Sequence, residues 1–273
     1  MIPALLAPAP TRVMGIVNVT PDSFSDGGDH LDTASAIAHG LRLAAEGAAV
    51  IDVGGESTRP GAGRVSAAEE LERVLPVVAA LAEQGVAVSV DTMRAEVAQR
   101  CAEAGAVIVN DVSGGLADPQ MLATVARLGC LYIAMHWRGH SDRMQEAATY
   151  ADVVAEVRAE LLDRVKAAVS ARIEPELIVL DPGIGFSKDT EQNWALLRAA
   201  EDFQQIGLPV LWGVSRKRFL TEASGGGGPR QRDPASAAVS GWLAGVGVWA
   251  VRTHTVSEHL AAIRVAERLR EGR

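Results

Sequence analysis

Asp91 at the end of Ser89-Val90-Asp91, Asn110 in Val109-Asn110-Asp111 and Asp181 at the start of Asp181-Pro182-Gly183 are two carboxylates and a carboxamide set at the ends of short apolar runs. Projected into one pocket, they can hydrogen-bond a flat, nitrogen-rich ring along its amidine edge, since Asp accepts and Asn both donates and accepts. The same carboxylates also suit the acid and base of a glycosidase or the ligation of a metal ion. For Asp91 helix capping is the local alternative, because Thr92 and Met93 lead straight into a helical pattern.

A second group is cationic. Ser215-Arg216-Lys217-Arg218 sets three cations in a row where a helix over residues 216–222 is expected to open. Cations at a helix N-terminus oppose the macrodipole, so local structure does not explain them and an anionic ligand does. In Arg252-Thr253-His254 the period of two puts Arg252 and His254 on one face and Thr253 on the other. With Asn18, the pattern describes a polyanion site beside a site for a flat heterocycle.

Two loops complete the set. Residues 18–28 have no helical or strand period and carry Phe24 among turn formers and acids, which marks a lid that packs on a bound ligand. In Gly54-Gly55-Glu56-Ser57-Thr58-Arg59-Pro60-Gly61 the glycines let the backbone approach a ligand, and Arg59 suits a phosphate or carboxylate.

The elements that position these residues repeat. Apolar runs with strand character cover residues 13–18, 50–52, 86–91, 107–111, 131–136, 178–181, 210–215 and 249–254, ending in Asn18, Asp52, Asp91, Asp111, His136, Asp181, Ser215 and His254. Helical patterns fall between them over 32–46, from Ser66 with a capping-box Glu69, and over 94–104, 119–127, 151–171, 191–200, 216–222, 234–243 and 256–270. The Glu and Arg residues alternating along 151–171 read as a solvent face. This rhythm is that of an α/β protein, a single (β/α)8 TIM barrel, in which the C-terminal strand ends converge on one mouth.

Composition sets the outer bounds. A barrel of about 250 residues accounts for a chain of 273 residues that is 48% apolar, so one domain over 1–273 is expected, with 1–12 a short N-terminal extension. Residues 224–228 read as a surface loop. The prolines in 1–10 and the lack of a long apolar run argue against a signal peptide or membrane span. Cys101 and Cys130 lack metal-ligand spacing and read as free buried thiols, which points to the cytoplasm. A net charge of −8 argues against a nucleic-acid partner.

Residues 15–28 and 54–61, Ser89-Val90-Asp91-Thr92, residues 110–115, Met135-His136, residues 181–186, Ser215-Arg216-Lys217 and residues 251–254 together resemble bacterial dihydropteroate synthases, over nearly the whole length. The resemblance implies a transferase of folate synthesis that joins 7,8-dihydropterin-6-ylmethyl diphosphate to 4-aminobenzoate, with Mg2+ as cofactor, sulfonamides as inhibitors and a homodimer as assembly. Carried over, Asp91, Asn110, Asp181 and Lys217 hold the pterin ring and Arg252 stacks on it. Asn18 ligates the magnesium, Arg252 and His254 hold the diphosphate, and Phe24, Thr58, Arg59 and Pro60 close over 4-aminobenzoate. Phe186 and Thr253 are further substrate contacts, and Asp91, Asp181, Lys217, Arg59 and His254 are the catalytic set.

Three places depart from the family pattern: Arg218 stands where many relatives have Ser, Thr255 follows His254 where the usual motif ends in Asp, and Trp137-Arg138 after His136 reads as part of a packed loop. Arg218 can still bind a carboxylate bidentately. The segment from Trp242 to Trp249 is the expected dimer contact. A corrinoid-linked pterin methyltransferase and a non-catalytic pterin-binding homologue are the alternative readings; the first would have no use for residues 57–61 or Lys217, and the second would be expected to have lost part of the first two loops, which are both intact in the sequence.

Overall fold

Apolar side chains alternate along each strand, and the alternation sorts them into an inner and an outer core. The computed structural model describes residues 1–20, 29–56, 65–139 and 148–270. Among these, the strands are β1 (Arg12–Asn18), β2 (Val50–Gly54), β3 (Val88–Asp91), β4 (Ile108–Asp111), β5 (Leu131–Met135), β6 (Ile178–Asp181), β7 (Leu211–Trp212) and β8 (Ala250–Thr253). They pair in parallel in the order β6-β5-β4-β3-β2-β1-β8-β7. A bridge from Leu180 to Val210 brings β6 to β7 and closes the ring into a (β/α)8 barrel.

The helices are α1 (Ile2–Leu6), α2 (Asp29–Ala45), α3 (Ala67–Glu83), α4 (Ala95–Glu103), α5 (Met121–Leu128), α6 (Val153–Ser170), α7 (Thr190–Arg198), α8 (Ala200–Gln204), α9 (Asp233–Val246) and α10 (Ser257–Arg270). Val17, Ile51, Val53, Val90, Val109, Tyr132 and Trp212 face outward and pack with helix residues such as Val74, Val97, Leu161 and Leu243. Ser66 does cap α3, accepting from the Glu69 backbone N–H at 3.1 Å.

Met14, Val50, Ile108, Leu131, Ile133, Val179, Leu211 and Ala250 form the inner core with Leu5 and Trp249. Leu5 comes from α1, so the opening residues are not a loose extension: this helix seals the floor of the barrel. The Trp249 indole N–H donates to the Leu5 carbonyl at 2.9 Å, and Arg12 donates to the Ala7 carbonyl at 2.6 Å. Pro3 sits in the first turn of α1, where its missing N–H costs nothing.

Three expectations need correction. Residues 216–222 do not form an α-helix; the chain makes only a 3-10 turn over Arg218–Leu220, after Arg216 takes a left-handed conformation with φ 60°. The polar face of α6 is not all solvent, because Glu156 and Glu160 pair with Arg138. Within the expected dimer contact, Leu243, Ala244, Val248 and Trp249 are core, whereas Trp242 is 46% exposed. Cys101 and Cys130 are both buried and free. No helix among the described residues is long and apolar enough to cross a membrane.

Candidate active site

Two residues beyond the inner core, toward the C-terminal ends of the strands, the inward positions turn polar: Val50 gives way to Asp52, Ile108 to Asn110, Val179 to Asp181 and Ala250 to Arg252. Arg252 lies at the centre. Its Nε donates to Asp52 Oδ2 at 2.6 Å and its Nη2 to Asp91 Oδ2 at 2.7 Å. Asn110 Nδ2 donates to the same Asp52 oxygen at 3.0 Å. Asp52 is fully buried, and its Oδ1 has no hydrogen-bond partner among the described residues. A buried carboxylate oxygen without a donor is costly, and a ligand N–H would satisfy it.

Asp91 therefore pairs with Arg252 and does not cap a helix; at α4 the Ala95 N–H is met by Asp118 instead, at 2.8 Å. Burial pushes the Asp91 carboxyl up, against the charge of Arg252, to about 7. Asp181 is raised for the same first reason, while the Gly183 N–H, at 2.8 Å from its Oδ1, and the cations Lys217, Arg252 and Lys188 draw it back down.

Asp111, the neighbour of Asn110, points to the outer side. It accepts from Ser113 N, Gly115 N and the Tyr132 hydroxyl, at 2.8, 2.7 and 2.8 Å, and so ties down the loop after β4.

The loop after β6 turns on Gly183 and Gly185, with φ 69° and 80°. A Cβ on Gly183 would sit 2.5 Å from the His136 carbonyl oxygen, so the close approach requires glycine. Lys217 reaches this loop from the next strand end: its Nζ donates to the Ile184 carbonyl at 2.7 Å and lies 4.0 Å over the ring of Phe186. Burial lowers the lysine to about 7 although Asp181 opposes the shift.

Of the three consecutive cations, Lys217 is the one that packs into the described polar layer. Arg216 forms a bidentate pair with Asp233 of α9, at 2.7 and 2.8 Å, so an anionic ligand is not needed to explain it. Arg218 is exposed.

At β8 the alternation holds. His254 Nδ1 lies 3.0 Å from the Ser215 hydroxyl, which also accepts the His254 backbone N–H at 3.2 Å. Thr253, expected among the substrate contacts, is fully buried on the other side, with its hydroxyl 2.8 Å from His259 Nε2 and 3.3 Å from Ser215 Oγ. It supports the histidine strand end from behind and offers no surface to a ligand. Asn18 is half-buried at the end of β1, in register with Gly54. Phe24, Thr58, Arg59 and Pro60 lie outside the described residues.

Sequence reasoning did not place Asp52 or Ser215 among the site residues, although both end the runs from which the other candidates were drawn. Between β3 and β2, Arg94 forms ion pairs with Glu56, at 2.8 Å, and with the buried Glu70. Its other nitrogen donates to the Val65 carbonyl, so one guanidinium holds both ends of the segment 57–64.

An acid-rich layer organised around one arginine, at the C-terminal mouth of a (β/α)8 barrel, defines an enzyme site for a small polar molecule. The chain belongs to the pterin binding enzyme family, whose model matches residues 14–254. Among its relatives, the dihydropteroate synthase of Mycobacterium leprae is 51% identical over 263 residues, covering 94% of this chain and 93% of its own. The structure of Xanthomonas albilineans dihydropteroate synthase with 4-aminobenzoic acid superimposes with a TM-score of 0.90 at 44% identity, covering 97% of this chain and 94% of that one. Yersinia pestis dihydropteroate synthase, solved with a sulfonamide drug complex, gives a TM-score of 0.90 at 39% identity, over 96% and 95% of the two chains.

Proposed function

We infer that this chain is a dihydropteroate synthase, condensing 7,8-dihydropterin-6-ylmethyl diphosphate with 4-aminobenzoate to 7,8-dihydropteroate and diphosphate. The observation that carries the reading is the polar layer of Asp52, Asp91, Asn110 and Asp181 around Arg252, in a chain 51% identical to a synthase. Asp181 and Asn110 suit the donor and acceptor pattern of the pterin edge, and the orphaned Asp52 oxygen supplies a further acceptor. Arg252 and the ammonium of Lys217 present flat and point charges to the ring.

In the reaction the methylene C–O bond breaks, diphosphate departs with the bonding pair, and the aniline nitrogen forms the new C–N bond and loses a proton. A ring nitrogen conjugated to the methylene spreads the developing cation, so the step is dissociative, and Asp91 and Asp181 stabilise that positive charge electrostatically. The attacking amine is neutral, so no strong base is required. His254, oriented by Ser215, offers an imidazole N–H to the diphosphate, with Arg252 as its expected partner there.

Magnesium fits this donor set in one way. Among the described residues no cluster of three or more His, Cys, Asp or Glu side chains could cage a cation, whereas the Asn18 amide oxygen is a hard donor suited to an ion that arrives with oxygens of diphosphate and water. Bound there, magnesium would neutralise charge on the leaving group.

Incubation of the purified protein with both substrates and Mg2+ is expected to yield 7,8-dihydropteroate, and sulfonamides are expected to inhibit in competition with 4-aminobenzoate. Absence of product where the Mycobacterium leprae enzyme is active would overturn the assignment. Asp181→Ala is expected to weaken pterin binding about 10- to 150-fold in calorimetry, the loss of a charge-assisted contact. The homodimer and the placement of the enzyme in the cytoplasm belong to the same proposal; sedimentation of the purified protein tests the first.

A further inference from the structure

Lys188 is a lysine with only 8% of its surface exposed, and the reaction outlined above does not use it. Lysines are rarely buried unless paired with a carboxylate, yet among the described residues this one has none in hydrogen-bonding contact. Its Nζ donates instead to His136 Nδ1 at 3.0 Å, to the Gly183 carbonyl at 3.0 Å and to the Phe186 carbonyl at 2.9 Å. Three acceptors match the three N–H bonds of an ammonium.

The rest of the chain of contacts fits that state. With its Nδ1 accepting from Lys188, His136 carries its proton on Nε2, which lies 2.9 Å from Glu160 Oε2. Glu160 is in turn held by Arg138, whose guanidinium lies 3.9 Å over the ring of Tyr150. The Tyr150 hydroxyl closes the circuit by donating to the Ser187 carbonyl at 3.0 Å. Residues 183–187 are thus gripped from behind by Lys188 and Tyr150, while Lys217 holds Ile184 and Phe186 from the barrel side.

We propose that Lys188 is a positioning residue for the reaction: its ammonium, buried behind the loop after β6, fixes that loop so that the Gly183 N–H meets Asp181, and its charge keeps Asp181 an ionised acceptor for the pterin. The proposal rests on the assignment of Asp181 to the pterin ring. Asp181 faces Lys188, Lys217 and Arg252 together with the Gly183 N–H. Lys188 faces Asp181 and Glu160, which favour its charge, and Lys217 and Arg138, which oppose it, with the neutral His136 between. Burial lowers Lys188 to about 7, so the counter-charge is fully present below neutral pH, is about half present at pH 7 and is lost above it.

The test is pterin binding by calorimetry across pH for the wild type, Lys188→Met, Asp181→Asn and the double variant, with circular dichroism to confirm the fold of each. In Lys188→Met, affinity at pH 7 is expected to fall on the order of tenfold, about 1.4 kcal/mol. Its loss on acidification is expected to begin at a higher pH than in the wild type. In the Asp181→Asn background the same substitution is expected to leave the pH dependence unchanged. An unshifted acid limb, or an equal loss of affinity in both backgrounds, would reduce Lys188 to a packing role and overturn the proposal. If Asp181→Asn alone bound pterin like the wild type, the fault would lie with the assignment of Asp181 instead. Should Lys188→Met fail to fold, Glu160→Gln at the partly exposed end of the chain serves in its place. Removing that negative charge lowers the proton affinity of Lys188, so the alkaline decline of pterin binding is expected to begin at a lower pH, and an unmoved decline would count against the proposal.

Discussion

Arg252 carries two carboxylates on one guanidinium, and its removal strips both of their counter-charge. Arg252→Met leaves Asp52 and Asp91 facing each other without a counter-charge, a loss of about 3–5 kcal/mol for a broken buried pair. Because the penalty belongs to ionised carboxylates, it depends on pH. Asp91 already titrates near 7 in the fold, above its ordinary value, so its contribution to stability is fully present below that ordinary value and is lost as pH rises through about 7. Without Arg252 the carboxyl rises further. The melting temperature of the variant is therefore expected to lie furthest below the wild type at pH 8 and to recover as the solution is acidified; a deficit independent of pH would mean that packing and not charge is lost. Asp91, Asn110, Asp181 and Arg252 were legible in the sequence because each lies at a strand end or one residue short of it, and two-residue alternation turns it inward. Asp52 is turned inward by the same rule, but Gly54 and Gly55 follow it and drew attention to the loop. The contacts of Lys188 with His136 join residues 52 positions apart, and no local pattern announces them.

At the scale of the element, the loop after β6 shows what backbone geometry contributes. Gly183 has φ 69° and lies against the His136 carbonyl, so Gly183→Ala combines strain with a clash that backbone cannot relieve. A stability loss of about 1–3 kcal/mol is expected, with pterin affinity reduced as well, since the same residue gives its N–H to Asp181. Denaturant unfolding together with calorimetry checks both, and a variant as stable as the wild type would show that the loop can re-form elsewhere. The strands were legible because outward Val and Ile alternate with inward residues, and the helices because most are long and amphipathic. Residues 216–222 misled because Arg216 adopts φ 60° to reach Asp233, a tertiary demand with no local sign. The helix α1 was hidden by Pro3, Pro8 and Pro10, although a proline in the first turn is compatible with a helix. On α6, the alternation of Glu and Arg reads as solvated until Arg138 is known to lie across it.

For the molecule as a whole, α1 separates stability from chemistry. Deleting residues 1–8 removes Leu5 from the inner core and the Trp249 contact at the floor, far from the strand ends that bear the site. The loss of one buried leucine is worth about 1.5–3 kcal/mol, so a lower melting temperature is expected with KM for both substrates unchanged. A rise in either KM would show that floor and mouth are mechanically linked. The sealed floor has another consequence. A barrel plugged at one end is a well with a single shaft, and whatever lies at the bottom must have entered before whatever lies above it. A ligand held by Asp52 and Asn110 sits against the inner core; one held by strand-end residues such as His254 sits nearer the rim. Order of arrival and departure is then imposed by depth, first in and last out, and a shallow ligand that arrives early is a stopper on its own reaction.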